Sequence, residues 1–115
     1  MRVQNIDAVE KGLPNSLFAV CVETEAKEVV GIGRVIGDGG LFFEIVDIAV
    51  MKAHHKKGLG KMIMDAVMKY IHANAPSGAF VSLIADKRVA EFYERYGFVR
   101  RGIDEPGMGL VISKI

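Results

Sequence analysis

Residues 54–61 read His-His-Lys-Lys-Gly-Leu-Gly-Lys and join an apolar stretch to the most regular helical pattern in the chain. The first turn of a helix leaves several backbone N–H groups without an internal partner, and the aligned peptide dipoles add positive potential there. Gly58 and Gly60 let a ligand approach the backbone closely, while Lys56, Lys57 and Lys61 add charge. Such a segment has the chemistry of a phosphate or pyrophosphate cradle. Two better-known glycine patterns fail on spacing. A nucleoside-triphosphate loop requires Gly at position 55 and Ser or Thr after Gly60-Lys61, where the chain has His55 and Met62. A dinucleotide fingerprint opening at Gly31-Ile32-Gly33 would place its third glycine on Ile36. On the residues alone, a plain helix start with turn-forming glycines and solubilising lysines stays open.

The elements that must position this segment follow from periodicity. Residues recurring at helical spacing (Leu59, Met62, Ile63, Ala66, Val67, Tyr70, Ile71) predict a helix over Lys57–Ala73, with Lys61, Asp65 and Lys69 on its other face. Apolar, β-branched runs predict strands over Leu17–Glu23, Val29–Ile36, Leu41–Val50 and Phe80–Ile84. Gly37-Asp38-Gly39-Gly40 supplies a turn. Asp7–Leu13 is expected as a short helix stopped near Pro14, and Arg2–Gln4 as a short strand or a ragged start. Arg88–Tyr96 is expected as a helix capped by Asp86 and ended at Gly97, followed by strands Phe98–Arg101 and Gly109–Ile112. The order predicts one mixed α/β domain over residues 1–115, with Leu41–Val50 and Phe80–Ile84 parallel across a helical crossover.

Composition narrows the function classes. The chain has 115 residues, half of them hydrophobic, and a net charge of +1. That is one ordinary domain, and near-neutrality argues against a nucleic-acid binder using Lys52–Lys61. Cys21 is the sole cysteine, so no internal disulfide forms and a reducing cytoplasm is expected. Cys21 itself is expected as a buried strand residue. No apolar run approaches the ~20 residues that span a bilayer, so no membrane partner is expected. His54, His55 and His72 lack metal-ligand spacing, and no metal is expected.

Two blocks carry a family resemblance. The first is His55-Lys56-Lys57-Gly58-Leu59-Gly60, after a long strand and opening a helix. The second, about 35 residues on, is Ala90-Glu91-Phe92-Tyr93-Glu94-Arg95-Tyr96-Gly97-Phe98. In this order, with helix and strand between them, they resemble the GNAT superfamily of N-acetyltransferases over Phe42–Phe98. The resemblance implies the GNAT α/β fold (a mixed sheet flanked by helices) and acetyl-CoA as co-substrate. It places the pyrophosphate at His55, Lys56, Lys57, Gly58, Leu59, Gly60 and Lys61, and the pantetheine arm along the backbone of Ile48, Ala49 and Val50. His55 departs from the family's Gln or Arg and is a weaker, pH-dependent cation.

The resemblance also implies that Tyr93 is the general acid that protonates the departing thiolate, where the residues alone allow a packing aromatic. Glu44 matches the catalytic glutamate of the histone-acetyltransferase branch, without a gap to Gly60. A solvated strand residue, or water in place of a carboxylate base, stays open there. Asp47 is the other carboxylate, expected as a structural residue. Strict alternation puts the two on opposite faces of the sheet unless a bulge intervenes.

The implied reaction moves an acetyl group from acetyl-CoA directly to the primary amine of a small molecule. The alternatives are a shortened, catalytically weak module that binds acyl-CoA or a partner chain, and a protein or peptide N-acetyltransferase. Phe42, Phe43 and Tyr96 are open between an apolar acceptor pocket and core. Only about sixteen residues precede the first clear strand, fewer than the family's strand and two helices, and a sheet edge left open there motivates a homodimer.

Overall fold

The computed structural model describes residues 6–100, 102 and 106–114. Six strands form one sheet in the order β1-β2-β3-β4-β6-β5. They are β1 (Phe18–Glu23), β2 (Val29–Gly37), β3 (Phe42–Val50), β4 (Phe80–Ile84), β5 (Val99–Arg100) and β6 (Gly107–Val111). The helices are α1 (Ile6–Gly12), α2 (Leu59–Asn74) and α3 (Ala90–Glu94). All pairings are antiparallel except β3 with β4, which is parallel, as the crossover through α2 requires. The mixed α/β architecture expected from the sequence is therefore the one observed. No helix among the described residues is long and apolar enough to cross a membrane.

The differences from the expected elements are local and physical. α2 starts at Leu59 because Gly58 has a left-handed backbone, φ +77°, which no α-helix continues through. The expected helix over Arg88–Tyr96 is instead a 3-10 turn, Lys87–Val89, followed by the short α3. Asp86 caps that turn by accepting from the Arg88 N–H, as expected; α3 stops at Glu94, and the turn that follows it closes at Gly97, φ +97°. The last strand begins earlier, at Gly107, which pairs with Ile84. The expected Arg2–Gln4 strand and Arg101 lie outside the described residues. Cys21 is exposed, not buried: β1 is an outer strand whose residues alternate, and Phe18, Val20 and Val22 take the inner side.

The core lies between the sheet and α2. Ile63, Met64, Val67, Met68 and Ile71 of α2 are buried against Val35, Phe43, Ile45 and Val81. Met62, expected in this stripe, faces solvent. Phe43 is core as well, Phe42 is exposed on the other face of the sheet, and Tyr96 is tied to α2, so the three do not share a pocket.

The Gly31-Ile32-Gly33 run owes its glycines to packing. A Cβ on Gly33 would lie 2.6 Å from Ile63 Cγ2 and 2.7 Å from Ile48 Cδ1. Gly33 is thus the recess into which α2 settles on the sheet. Gly33→Val should destabilise the domain by about 1–3 kcal/mol through overpacking. Gly12→Ala, where a Cβ meets nothing within 4 Å, serves as the control in the same chemical-denaturation experiment.

Candidate functional site

The parallel ladder between β3 and β4 has three residue pairs, Phe42–Phe80, Phe43–Val81 and Glu44–Ser82. Beyond it β3 continues to Val50 unpaired on that side, and the strands part. The resulting cleft, about 280 Å³, is lined by Glu44, Asp47, Ile48, Leu83, Ile84 and Tyr93 among others. By alternation with Met51, whose N–H donates to Val30 O, the backbone groups of Ile48 and Val50 turn toward this cleft. Those of Ala49, expected alongside them, turn toward β2.

A β-bulge governs the parting. In the β2–β3 register Arg34 faces Val46 and Ile32 faces Ala49, so Gly33 stands opposite both Asp47 and Ile48. Asp47 has φ +57°, and such strain, on the order of 1–3 kcal/mol, persists only where neighbours enforce it. Arg34 does so: its Nη1 donates to Asp47 Oδ2 at 2.7 Å, while Nε donates to Ser16 Oγ and Nη2 to the Gly12 carbonyl. The bulge flips the alternation. Glu44 and Asp47, expected on opposite faces, stand on the same face and line the same cleft.

Tyr93 closes the cleft from α3. It is 9% exposed, and burial pushes its phenol above the ordinary value of 10.0. Its hydroxyl has no hydrogen-bond partner among the described residues, yet it is not sealed from solvent. It is therefore available to a group lodged between the strands.

The loop leading into α2 has left-handed backbone at Lys56 and Gly58. No side chain caps α2, so the first-turn N–H groups of Leu59, Gly60 and Lys61 stay open to an external acceptor. A Cβ on Gly60 would meet only Phe92 Cζ, at 3.9 Å, and packing does not demand glycine there. The missing Cβ leaves the backbone of the first turn of α2 open at this position.

The side chains divide in function. His55 Nε2 lies 2.8 Å from the Val50 carbonyl, so this ring, expected beside phosphate, fastens the loop to the end of β3 and engages one backbone group of the cleft. Lys57 Nζ is near His54 Nδ1, and Lys61 Nζ donates to Asp65 at 2.8 Å. Lys56 carries the left-handed turn.

The GNAT acetyltransferase domain model matches residues 2–111. The chain belongs to the GNAT acetyltransferase family. A Staphylococcus aureus protein of unknown function, described as a probable acetyltransferase, is 41% identical, with 99% of this chain and 84% of that one covered and a TM-score of 0.83. An uncharacterized ycf52-like N-acetyltransferase of Prochlorococcus marinus is 31% identical over 96 residues, 81% of this chain and 52% of the relative. This chain thus spans about half the length of that curated relative. A Brucella melitensis GNAT acetyltransferase in complex with acetyl-CoA shares the fold, at 16% identity, with 95% of this chain and 66% of that one covered and a TM-score of 0.69.

In this GNAT domain two positioning contacts have no local sequence signal. One is Arg34, whose partners are 13, 18 and 22 positions away. The other joins α3 to α2: Tyr96 Oη donates to Asp65 Oδ1 at 2.8 Å, with the rings of Phe92, Tyr93 and Tyr96 packed edge to face. The Lys61 and Tyr96 hydrogen bonds hold the Asp65 carboxyl below its ordinary value. Burial, then the hydrogen bond to Asp65, pushes the Tyr96 phenol up to about 12. The unfolded chain ionises this phenol first, so its stabilising contribution is whole below pH 10.0 and is lost as pH rises toward about 12. Denaturation followed across that window should fall more steeply for the wild type than for Tyr96→Phe. Parallel curves would detach Tyr96 from the stability of the α2–α3 joint.

Proposed function

We propose that the chain is an acetyl-CoA-dependent N-acetyltransferase acting on a primary amine of a small molecule. The observation that carries this reading is the single cleft shared by Glu44, Asp47, Ile48 and Tyr93, at the point where β3 and β4 part. The uncapped start of α2, with Gly58 and Gly60, supports pyrophosphate binding by backbone N–H groups, aided by Lys56 and Lys57. The unpaired edge of β3 near Ile48 supports binding of the pantetheine arm.

The chemistry is direct transfer. The neutral amine attacks the thioester carbonyl; a C–N bond forms and the C–S bond breaks. Glu44, or water beside it, takes the amine proton, and Tyr93 gives its phenolic proton to the thiolate. A phenol raised by burial stays protonated through the neutral range and so remains a competent donor. The ycf52-like relative named as an N-acetyltransferase and the Staphylococcus aureus protein described as a probable acetyltransferase support the same class of reaction.

Calorimetric titration of acetyl-CoA should give micromolar binding that Gly58→Glu abolishes, because a carboxylate on a positive-φ backbone opposes both the loop's shape and the pyrophosphate charge. Absence of binding to the folded wild type overturns the reading. Tyr93→Phe should lower turnover by about 10²-fold while sparing acetyl-CoA affinity. Unchanged turnover removes Tyr93 from the mechanism, and tight binding without transfer to any of a broad amine panel leaves a binding module.

A further inference from the structure

A second hollow lies on the opposite side of the bulge, between α1 and the outer face of the sheet. It encloses about 670 Å³, within the ~300–1,000 Å³ typical of small-ligand sites. Its walls are apolar: Val9 and Leu13 from the α1 segment, Ile32 and Ile36 from β2, Val46 and Ala49 from β3. Its charged lining residues are Arg34 and Asp47. Val46 and Asp47 also line the cleft that holds Glu44 and Tyr93, so the two spaces share a wall.

The charges in the hollow discriminate among acceptors. Each of the three guanidinium nitrogens of Arg34 already donates once, to Ser16, Asp47 and Gly12, and its charge is paired with Asp47, so a second carboxylate would compete with Asp47 for it. A polyamine needs several spaced carboxylates, and Asp47 is the carboxylate lining this hollow. Asp47 Oδ2 accepts from Arg34, while Oδ1 has no hydrogen-bond partner among the described residues. An incoming ammonium therefore finds one acceptor, located at the wall between hollow and cleft.

Building on the acetyl-transfer reading, we propose that the acceptor is a small monoamine with an apolar body. The body occupies the hollow under α1, and the amine head sits on Asp47 at the mouth of the cleft. Arg34 is a positioning residue that fixes the Asp47 carboxylate in its bulge.

The test compares acceptors of similar head and different body: hexylamine and 2-phenylethylamine against ethanolamine, lysine, spermidine and a short peptide with a free N-terminus. The apolar amines should exceed ethanolamine in kcat/KM by about tenfold or more, since each buried methylene gives roughly 10-fold or better discrimination. Ala8→Phe narrows the hollow from the exposed side of α1 and should raise KM for 2-phenylethylamine by about tenfold, with KM for acetyl-CoA unchanged. Asp47→Asn should raise KM for every amine, and Arg34→Lys should restore more of the wild-type KM than Arg34→Ala.

Equal or better turnover of ethanolamine, lysine, spermidine or the peptide overturns the acceptor assignment, as does failure of every apolar amine. Acetyl-CoA binding by calorimetry separates the two levels. If binding persists in those cases, the acetyl-transfer reading stands without this acceptor; if binding is absent, both fall.

Discussion

The site depends on one extra residue in β3. Opposite Gly33, two residues, Asp47 and Ile48, occupy the space of one, and the strand bends there. Three contacts hold the irregularity. Arg34 grips Asp47 on the outer face, Ile48 packs toward the missing Cβ of Gly33 on the inner face, and Ile63 of α2 fills the rest of that recess. The left-handed backbone of Asp47 is thus offset by packing on one side and a charged hydrogen bond on the other. Without the bend, the parallel ladder between β3 and β4 would run on past Glu44 and Ser82, and its backbone groups would be consumed by pairing.

The same packing sets the direction of α2. Ile63 lies one turn into the helix, so seating it in the Gly33 recess fixes the helix start close to the bulge. His55 ties the intervening loop to the Val50 carbonyl from the other side. The amide-rich helix start and the unpaired edge of β3 are therefore held by one local set of contacts. α3 is then registered against α2 through Tyr96 and Asp65, which brings Tyr93 over the parted strands.

Much of this was legible in the sequence. The strand at Phe80–Ile84 is observed where expected, and the turn residues Asp38, Asp86 and Gly97 act as their types suggest. These features are local: periodicity, caps and positive-φ positions are written in adjacent residues. The left-handed Gly58 before α2 is legible for the same reason. The faces of Glu44 and Asp47 were not, because alternation assumes an unbroken strand and the bulge is enforced by Arg34 from a neighbouring one. The exposure of Cys21 is hidden for a related reason. Its apolar surroundings suggest burial, but whether a strand is central or outer depends on the order of the sheet. Charge alone does not disclose the contact of His55 with a carbonyl five residues back.

The bulge also gives one short strand the two faces that the proposed reaction uses. In a regular strand, neighbouring side chains face opposite sides, and a carboxylate can attend only one of them. At the bend, the backbone near Ile48 faces the gap toward β4, while Asp47 stands on the outer face with Val46. A bound thioester and an approaching amine would then meet at the same two residues from different directions. Neither side requires a large charged pocket. The start of α2 offers backbone dipoles, and the hollow is apolar apart from the Arg34–Asp47 pair. Under the proposed reading, a domain of net charge +1 binds an anionic carrier at one mouth and an apolar amine at the other, and the Arg34–Asp47 pair and the Gly33 recess set the bend between them.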